Sequence, residues 1–274
     1  MRIALVTGAN SGFGMLMTVE LIKAGYAVIA TMRDIEKGTR LQQEIAKLDR
    51  LANLHIRKLE VTNEEDIMLV YQYVQEQFAR LDVLINNAGY SQGGFLADIS
   101  MENWKLQQET NVFGTVHMTQ AFLPLLERSQ RGQIINLSSV SGIMGLPGLS
   151  AYCASKFAIE GFSEGIRLEL RSKNIYVSLI EPASYQTDIW KKAFEKLDPI
   201  NHSDILKDNV FQYVENSASS AGDPKEVAAL VIRICESKYP KLRYPIGKGA
   251  LFLSFAKKLV PWRIIEWMVL KKLR

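Results

Sequence analysis

The chain opens Arg2-Ile3-Ala4-Leu5-Val6-Thr7-Gly8-Ala9-Asn10-Ser11-Gly12-Phe13-Gly14. The run Ile3 to Val6 is apolar at every position, as a strand buried on both faces must be. Glycines then recur at 8, 12 and 14, and a helical period begins behind them. Glycine allows the tight turn and lets a ligand approach the backbone closely. The helix that follows presents unpaired N–H groups and the positive end of its dipole. Strand, glycine loop and helix in this order predict a phosphate-binding turn made by Gly8, Asn10, Ser11, Gly12, Phe13 and Gly14. The spacing is G-x-x-x-G-x-G rather than the usual G-x-G-x-x-G. A glycine-rich turn that binds nothing is the alternative.

Working outward, the same alternation repeats. Strand runs rich in Val and Ile are expected at Ile3–Val6, Ala27–Ala30, His55–Leu59, Val83–Ile85, Gln133–Leu137, Tyr176–Ile180 and a short Arg243–Ile246. Helical periods lie between them, near 13–24, 36–50, 63–79, 102–127, 151–172 and 224–237. This pattern predicts an α/β fold: a doubly wound, Rossmann-like parallel sheet of about seven strands with helices on both faces. A single domain is expected over 1–247. Its irregular segment 187–222 reads as a lid, and 248–274 as a separate basic, apolar tail.

Composition narrows the function. The 274 residues are 47% hydrophobic and 23% charged, which is ordinary for a globular chain. Two cysteines, Cys153 and Cys235, give no disulfide framework, and three histidines share no metal-ligand spacing, so no metal is expected. The first strand begins at once, with no long apolar leader, which points to the cytoplasm. The net charge is +4, but residues 248–274 carry seven Lys or Arg against Glu266, a net of 7 − 1 = +6. The rest of the chain is therefore 4 − 6 = −2, which argues against a nucleic-acid partner.

The end of the second strand bears on the nucleotide. Dinucleotide sites place an Asp or Glu here for a ribose 2′-hydroxyl, or an Arg for a 2′-phosphate. The chain reads Thr31-Met32-Arg33, and a guanidinium suits a phosphate. NADP(H) is the expected cofactor. Because Asp34 and Glu36 follow, a surface ion pair is the competing reading of Arg33.

Tyr152-Cys153-Ala154-Ser155-Lys156 carries the acid–base chemistry. Residues four apart on a helix share a face. A phenol with a pKa near ~10 is a poor acid at neutral pH. A cation at about 4 Å and an effective dielectric near ~20 offers the phenolate roughly 4 kcal/mol. On this reading Lys156 lowers the pKa of Tyr152.

Taken together, the motifs resemble the short-chain dehydrogenase/reductase family in its single-domain branch. They are Thr7–Gly14, Asn86-Asn87-Ala88-Gly89, Asn111, Ser138-Ser139, Tyr152–Lys156 and Pro182 to Thr187, in the expected order over about residues 2–246. The runs Val140–Gly161 and Ala30–Asp34 look most like the estradiol 17-beta-dehydrogenase and retinol dehydrogenase neighbourhood. The resemblance implies the following roles. Tyr152 is the general acid in carbonyl reduction and the base in alcohol oxidation. Lys156 tunes it and bonds the nicotinamide ribose, Ser139 holds the substrate oxygen, and Asn111 supports a water chain for the proton. Asn87, Ala88 and Gly89 line the cofactor, Glu60 and Val61 lie at the adenine, and Pro182 and Thr187 lie at the nicotinamide. The chain departs from the family at Pro182-Ala183, where Pro-Gly is usual, and at Glu60, where Asp is usual. Of the adjacent pair Ser138-Ser139 only one can face the site, and family spacing selects Ser139.

The expected pocket includes Ser139 and Tyr152 with Phe95, Ile143, Met144, Leu146, Leu149, Tyr185, Trp190 and Phe194, and Ser141–Leu149 contains no Arg or Lys. An apolar ketone, aldehyde or alcohol is therefore expected, of steroid, retinoid or lipid type. The tail leaves three readings open: packing over the cleft or a partner subunit, peripheral membrane contact, and a mobile tail. The family often pairs the helices bearing Asn111 and Tyr152, so a homo-dimer or homo-tetramer is expected. Two rivals remain: a sugar-nucleotide epimerase or dehydratase, for which the chain lacks a second domain, and a non-catalytic NADP(H)-binding sensor or scaffold.

Overall fold

The structure is a computed structural model that describes residues 1–186, 207–210, 212 and 221–272. Seven parallel strands form one sheet in the order β3-β2-β1-β4-β5-β6-β7. They are β1 (Ile3–Val6), β2 (Ala27–Met32), β3 (Leu54–Lys58), β4 (Val83–Asn86), β5 (Gly132–Leu137), β6 (Ile175–Pro182) and β7 (Arg243–Ile246). β1, β2, β4, β5 and β6 are buried at every position, which matches their unbroken apolar runs.

Side chains alternate between two cores. Ala4 and Val6 of β1 pack with Met17 and Leu21 of α1 (Gly12–Lys23), Leu41 of α2 (Thr39–Ala46) and Val231 of α7 (Lys225–Glu236). Ile3 and Leu5 point the other way, onto Val70 of α3 (Glu64–Phe78) and Phe122 of α5 (Gly114–Glu127). α6 (Ser150–Leu170) adds Leu170 to that second core. The strand order reverses between β1 and β4, which opens a crevice at their carboxyl ends.

The run 102–127 is helical throughout but not α-helical throughout. α4 (Met101–Gln108) passes through a π-helical turn, Glu109–Phe113, before α5. Such turns are rare overall and frequent at functional sites. Here the Thr115 hydroxyl donates to the Asn111 carbonyl at 2.9 Å. The tail forms two helices, α8 (Ala250–Leu259) and α9 (Trp262–Lys272), broken at Pro261. Among the described residues no helix is long and apolar enough to cross a membrane.

Candidate active site

The glycine loop joins β1 to α1 at the crevice. Gly8 and Gly12 have φ of +66° and +52°, the left-handed region that glycine alone adopts cheaply. Gly14 has a different reason. A Cβ there would collide with the Gly8 carbonyl oxygen and come within 2.6 Å of Asn87 Nδ2. The loop is braced from β4: Asn87 Nδ2 donates to the carbonyls of Thr7 (2.8 Å) and Gly8 (3.1 Å). The Thr7 hydroxyl accepts from the N–H groups of Asn87 (3.0 Å) and Ala88 (2.9 Å). Ser11 caps α1 through its extended backbone without spending its hydroxyl. A close backbone cradle with a helix N-terminus behind it fits a diphosphate.

At the end of β2, Arg33 is exposed, and its Nε stands 3.6 Å from Glu60 Oε2. Asp34 instead caps the following turn by accepting from Glu36 N–H, and it pairs with Lys37. The expected competitor for Arg33 is thus engaged elsewhere, and Glu60, the expected adenine contact, takes its place. Val61 is buried against Gly114, where a Cβ would lie 2.6 Å from its Cγ2.

The catalytic candidates converge at the ends of β5 and β6. Ser139 follows β5, holds Ser141 N–H on its hydroxyl (3.1 Å) and lies 3.5 Å from the Pro182 carbonyl. Ser138 points the other way: a Cβ on Gly142 would lie 2.7 Å from its Oγ and 3.1 Å from Glu160 Cγ. Tyr152 and Lys156 share the buried face of α6. Lys156 Nζ stands 5.6 Å from the centre of the Tyr152 ring and donates to the Leu137 carbonyl at 2.6 Å.

The electrostatics correct one expectation. Burial is the largest influence on Tyr152 and pushes its phenol up to about 12, with the Ser139 hydroxyl opposing through a hydrogen bond. The lysine does not bring the phenol down. Its ammonium sits over the ring and is bound to a carbonyl, and burial pushes Lys156 itself down to about 8. Tyr152 is therefore a protonated phenol throughout the neutral range.

Asn111 is buried in the π-helical turn. Its amide donates to the Tyr90 carbonyl (3.0 Å) and the Ser155 hydroxyl (3.0 Å), while Tyr90 N–H donates to its Oδ1 (3.1 Å). It ties the loop after β4 to α6. Gly89 lies against it, where a Cβ would be 3.0 Å from Asn111 Oδ1.

Tyr185 is also corrected. It is a core residue rather than a pocket wall: its ring packs edge-on against Phe13 and its hydroxyl donates to Glu226 (3.0 Å). Gly222 and Gly247 press against the ring, where a Cβ on either would lie about 3 Å away, at 2.9 and 3.0 Å. A buried phenol needs a partner, and α7 supplies it. Phe13, expected at the phosphate turn, spends its ring on this packing.

Gly94 N–H donates to the Gly148 carbonyl (2.9 Å), and Lys207, paired with Asp98 at 2.7 Å, lies over the Phe95 ring at 5.5 Å. Val210 and Phe95 close on Gly148. Thr187, Trp190 and Phe194 lie outside the described residues.

Thr7, Ser155, Glu160 and Glu181 were not singled out in the sequence. A Thr immediately before the first glycine was the available signal for Thr7; the others join through contacts distant in the chain. Among the described residues no group of three His, Cys, Asp or Glu is placed to hold a metal ion.

These features define a dinucleotide-linked oxidoreductase site at the switch point of a doubly wound sheet. Residues 2–198 match the short chain dehydrogenase family, and the chain belongs to the short-chain dehydrogenase/reductase family. The uncharacterized oxidoreductase YusZ of Bacillus subtilis is 41% identical over 277 residues, covering 99% of this chain and 98% of YusZ. Estradiol 17-beta-dehydrogenase 1 of Rattus norvegicus is 34% identical, covering 88% of this chain and 72% of that protein. Retinol dehydrogenase 8 of Homo sapiens is 32% identical, with coverages of 88% and 80%. Among solved structures, a short-chain dehydrogenase from Streptomyces avermitilis superposes with a TM-score of 0.82 at 30% identity, covering 99% of this chain and 97% of its own. ElxO with NADP bound gives 0.78 at 26% identity, with coverages of 92% and 99%.

Proposed function

We propose that this protein is an NADP(H)-dependent oxidoreductase that interconverts a carbonyl and an alcohol on an apolar steroid-, retinoid- or lipid-like molecule. The observation that carries it is the buried corner of Ser139, Tyr152 and Lys156 beside the glycine loop. When bound, the nicotinamide supplies or accepts the hydride. Gly8, Asn10, Ser11, Gly12 and Gly14 would hold the diphosphate, and Arg33 the 2′-phosphate. Glu60 and Val61 would bound the adenine, and Asn87, Ala88, Gly89, Pro182 and Thr187 the nicotinamide end. Ser139 donates to the substrate oxygen, and Tyr152, a phenol at neutral pH, gives that oxygen its proton. Lys156 stands over the ring where negative charge then develops. Phe95 and Val210, which meet beside Gly148, support an apolar substrate.

NADPH consumption measured against ketones graded by size and polarity tests this reading. Turnover is expected with large apolar ketones, at a lower KM for NADPH than for NADH. Arg33→Ala raises the KM for NADPH by about tenfold or more, the effect of losing a charge-assisted phosphate contact, and leaves that for NADH nearly unchanged. Equal effects on both would remove Arg33 from the phosphate site.

We also read the chain as a core domain, 1–247, with a membrane-contacting tail, 248–274. On α8 the exposed side chains Leu251, Phe252, Phe255 and Leu259 fall on one stripe with Lys258 at its edge. Exposed Trp262 and Trp267 each carry a lysine over the ring, Lys257 at 4.4 Å and Lys271 at 4.9 Å. Such a surface suits the interface of an anionic bilayer. The protein is expected to pellet with anionic vesicles and to stop doing so without residues 249–274; equal pelleting of both forms would dismiss the idea. A homo-dimer or homo-tetramer through α4–α6 is supported by exposed Phe113 and Phe157 near Asn111 and Tyr152.

A further inference from the structure

A second charged cluster lies directly behind the catalytic corner. Glu160 is four residues beyond Lys156 on the same buried face of α6. Glu181 precedes Pro182, the last residue of β6, whose carbonyl borders Ser139, and it is fully buried at 0% exposure. Arg243 reaches across from β7 to both. Its Nη2 lies 2.9 Å from Glu160 Oε2, and its Nε lies 3.1 Å from Glu181 Oε1. The same Nη2 is 2.8 Å from Glu164 Oε1 at the surface. One guanidinium therefore faces three carboxylates, two of them out of water.

Two adjacent buried carboxylates do not ionise together cheaply. Burial is the first cause raising the pKa of both, and the Glu160 charge raises Glu181 further, while Arg243 opposes. Glu181, pushed up to about 7, loses its proton before Lys156 reaches its own midpoint, so the two carboxylates behind Lys156 are negatively charged while it titrates. Burial works against the charge on Lys156, and Glu160 works for it.

We propose that Glu160 and Glu181, gathered by Arg243 one helical turn below Lys156, are positioning residues that hold Lys156 in its ammonium form. The inference rests on the reading of Lys156 as the residue that stabilises charge on Tyr152. The ionisable groups around it are Tyr152, Glu160 and Glu164 on α6, Glu181 on β6, Arg243 on β7 and Lys258, which acts on Glu181 from α8. Ser138, turned away from the site, lines the same space beside Gly142.

The test is a pH titration of Lys156 Nζ by 15N NMR on the full chain labelled with 15N-lysine, with the signal assigned by its loss in Lys156→Arg. The wild-type midpoint is expected near 8. In the double variant Glu160→Gln/Glu181→Gln it falls by about one unit, the size of effect one charge exerts at this range. Glu181→Gln alone lowers the midpoint by about half a unit, while the surface control Glu164→Gln leaves it within about 0.3 unit. The alkaline limb of NADPH-dependent turnover moves with the midpoint, while the KM for NADPH stays the same. A folded double variant with an unshifted midpoint overturns the proposal. If the double variant does not fold, Glu160→Gln alone decides: a fall of about half a unit supports the proposal, and no fall overturns it. The NMR readout needs no turnover, so failure of the catalytic reading would show separately, as absent activity beside a normal titration.

Discussion

Tyr152→Phe is expected to lower kcat for carbonyl reduction by about a thousandfold, within the range that a positioned general acid contributes, while NADPH binds within about a factor of two of wild type. The ring stays, so the packing of α6 and the seat of Lys156 stay. The hydroxyl leaves, and with it the transferable proton and the hydrogen bond to Ser139. The wild-type phenol is pushed up to about 12 by burial, so it is fully protonated at neutral pH and its own titration does not limit reduction there. Within the Ser139–Tyr152–Lys156 corner, Lys156 is the group that titrates closest to working pH. Its pKa is depressed to about 8, so its charge is present below that value and is lost as pH rises through it. Reductive turnover should be level from about pH 6 to 7 and fall through the region around pH 8. Stopped-flow hydride transfer and NADPH fluorescence titration on the variant would check both halves. More than a tenth of wild-type kcat in Tyr152→Phe would remove the tyrosine from acid–base chemistry. Lost NADPH binding would mean that its hydroxyl is structural.

Gly14→Ala should be nearly as damaging, by a different route. The added methyl meets the Gly8 carbonyl and the Asn87 amide, which are bonded to each other at 3.1 Å. Neither is the free end of a flexible side chain. Either α1 moves away from the loop or the Asn87 brace breaks, and the cradle for the diphosphate widens in both cases. Overpacking of this kind costs about 1–3 kcal/mol of stability, and NADPH affinity should fall by about a hundredfold, since the lost contacts are charge-assisted. Gly145→Ala is the control: no atom lies within 4 Å of a Cβ there, so its stability should stay within about 0.5 kcal/mol of wild type. Calorimetric Kd values and thermal unfolding of the two variants would check this. An intact Kd in Gly14→Ala would mean that the loop does not hold the diphosphate.

Much of this was legible in the chain because the signals are local. An apolar run such as Ile3–Val6 is a buried strand whatever surrounds it, and all seven expected strands are present within a few residues of their expected ends. Ser139, Tyr152 and Lys156 were legible as chemistry, and the structure brings them to one corner. The reading failed where a residue's role depends on a partner far away in sequence. Tyr185 looked like an aromatic pocket wall, but its place was decided by Glu226 and by two glycines at 222 and 247. The helix over 102–127 is continuous as expected, but helical period does not register the π-helical turn within it, where Asn111 makes its side-chain bonds. On α8 the apolar stripe emerges only once Pro261 is seen to divide the tail into two helices.

By itself the sequence determined the order of strands and helices, the glycine turn after β1 and the placing of Tyr152 and Lys156 on one helix face, because hydrophobic period, glycine stereochemistry and i, i+4 spacing act over a few residues. The protonation states were decided only by the tertiary structure. Desolvation depends on what the other elements remove from water, and it sets Tyr152 as a phenol and brings Lys156 close to losing its charge. The meeting of Glu160, Glu181 and Arg243 was likewise decided there, because the pairing of β6 with β7 sets those side chains side by side from 83 residues apart at the widest.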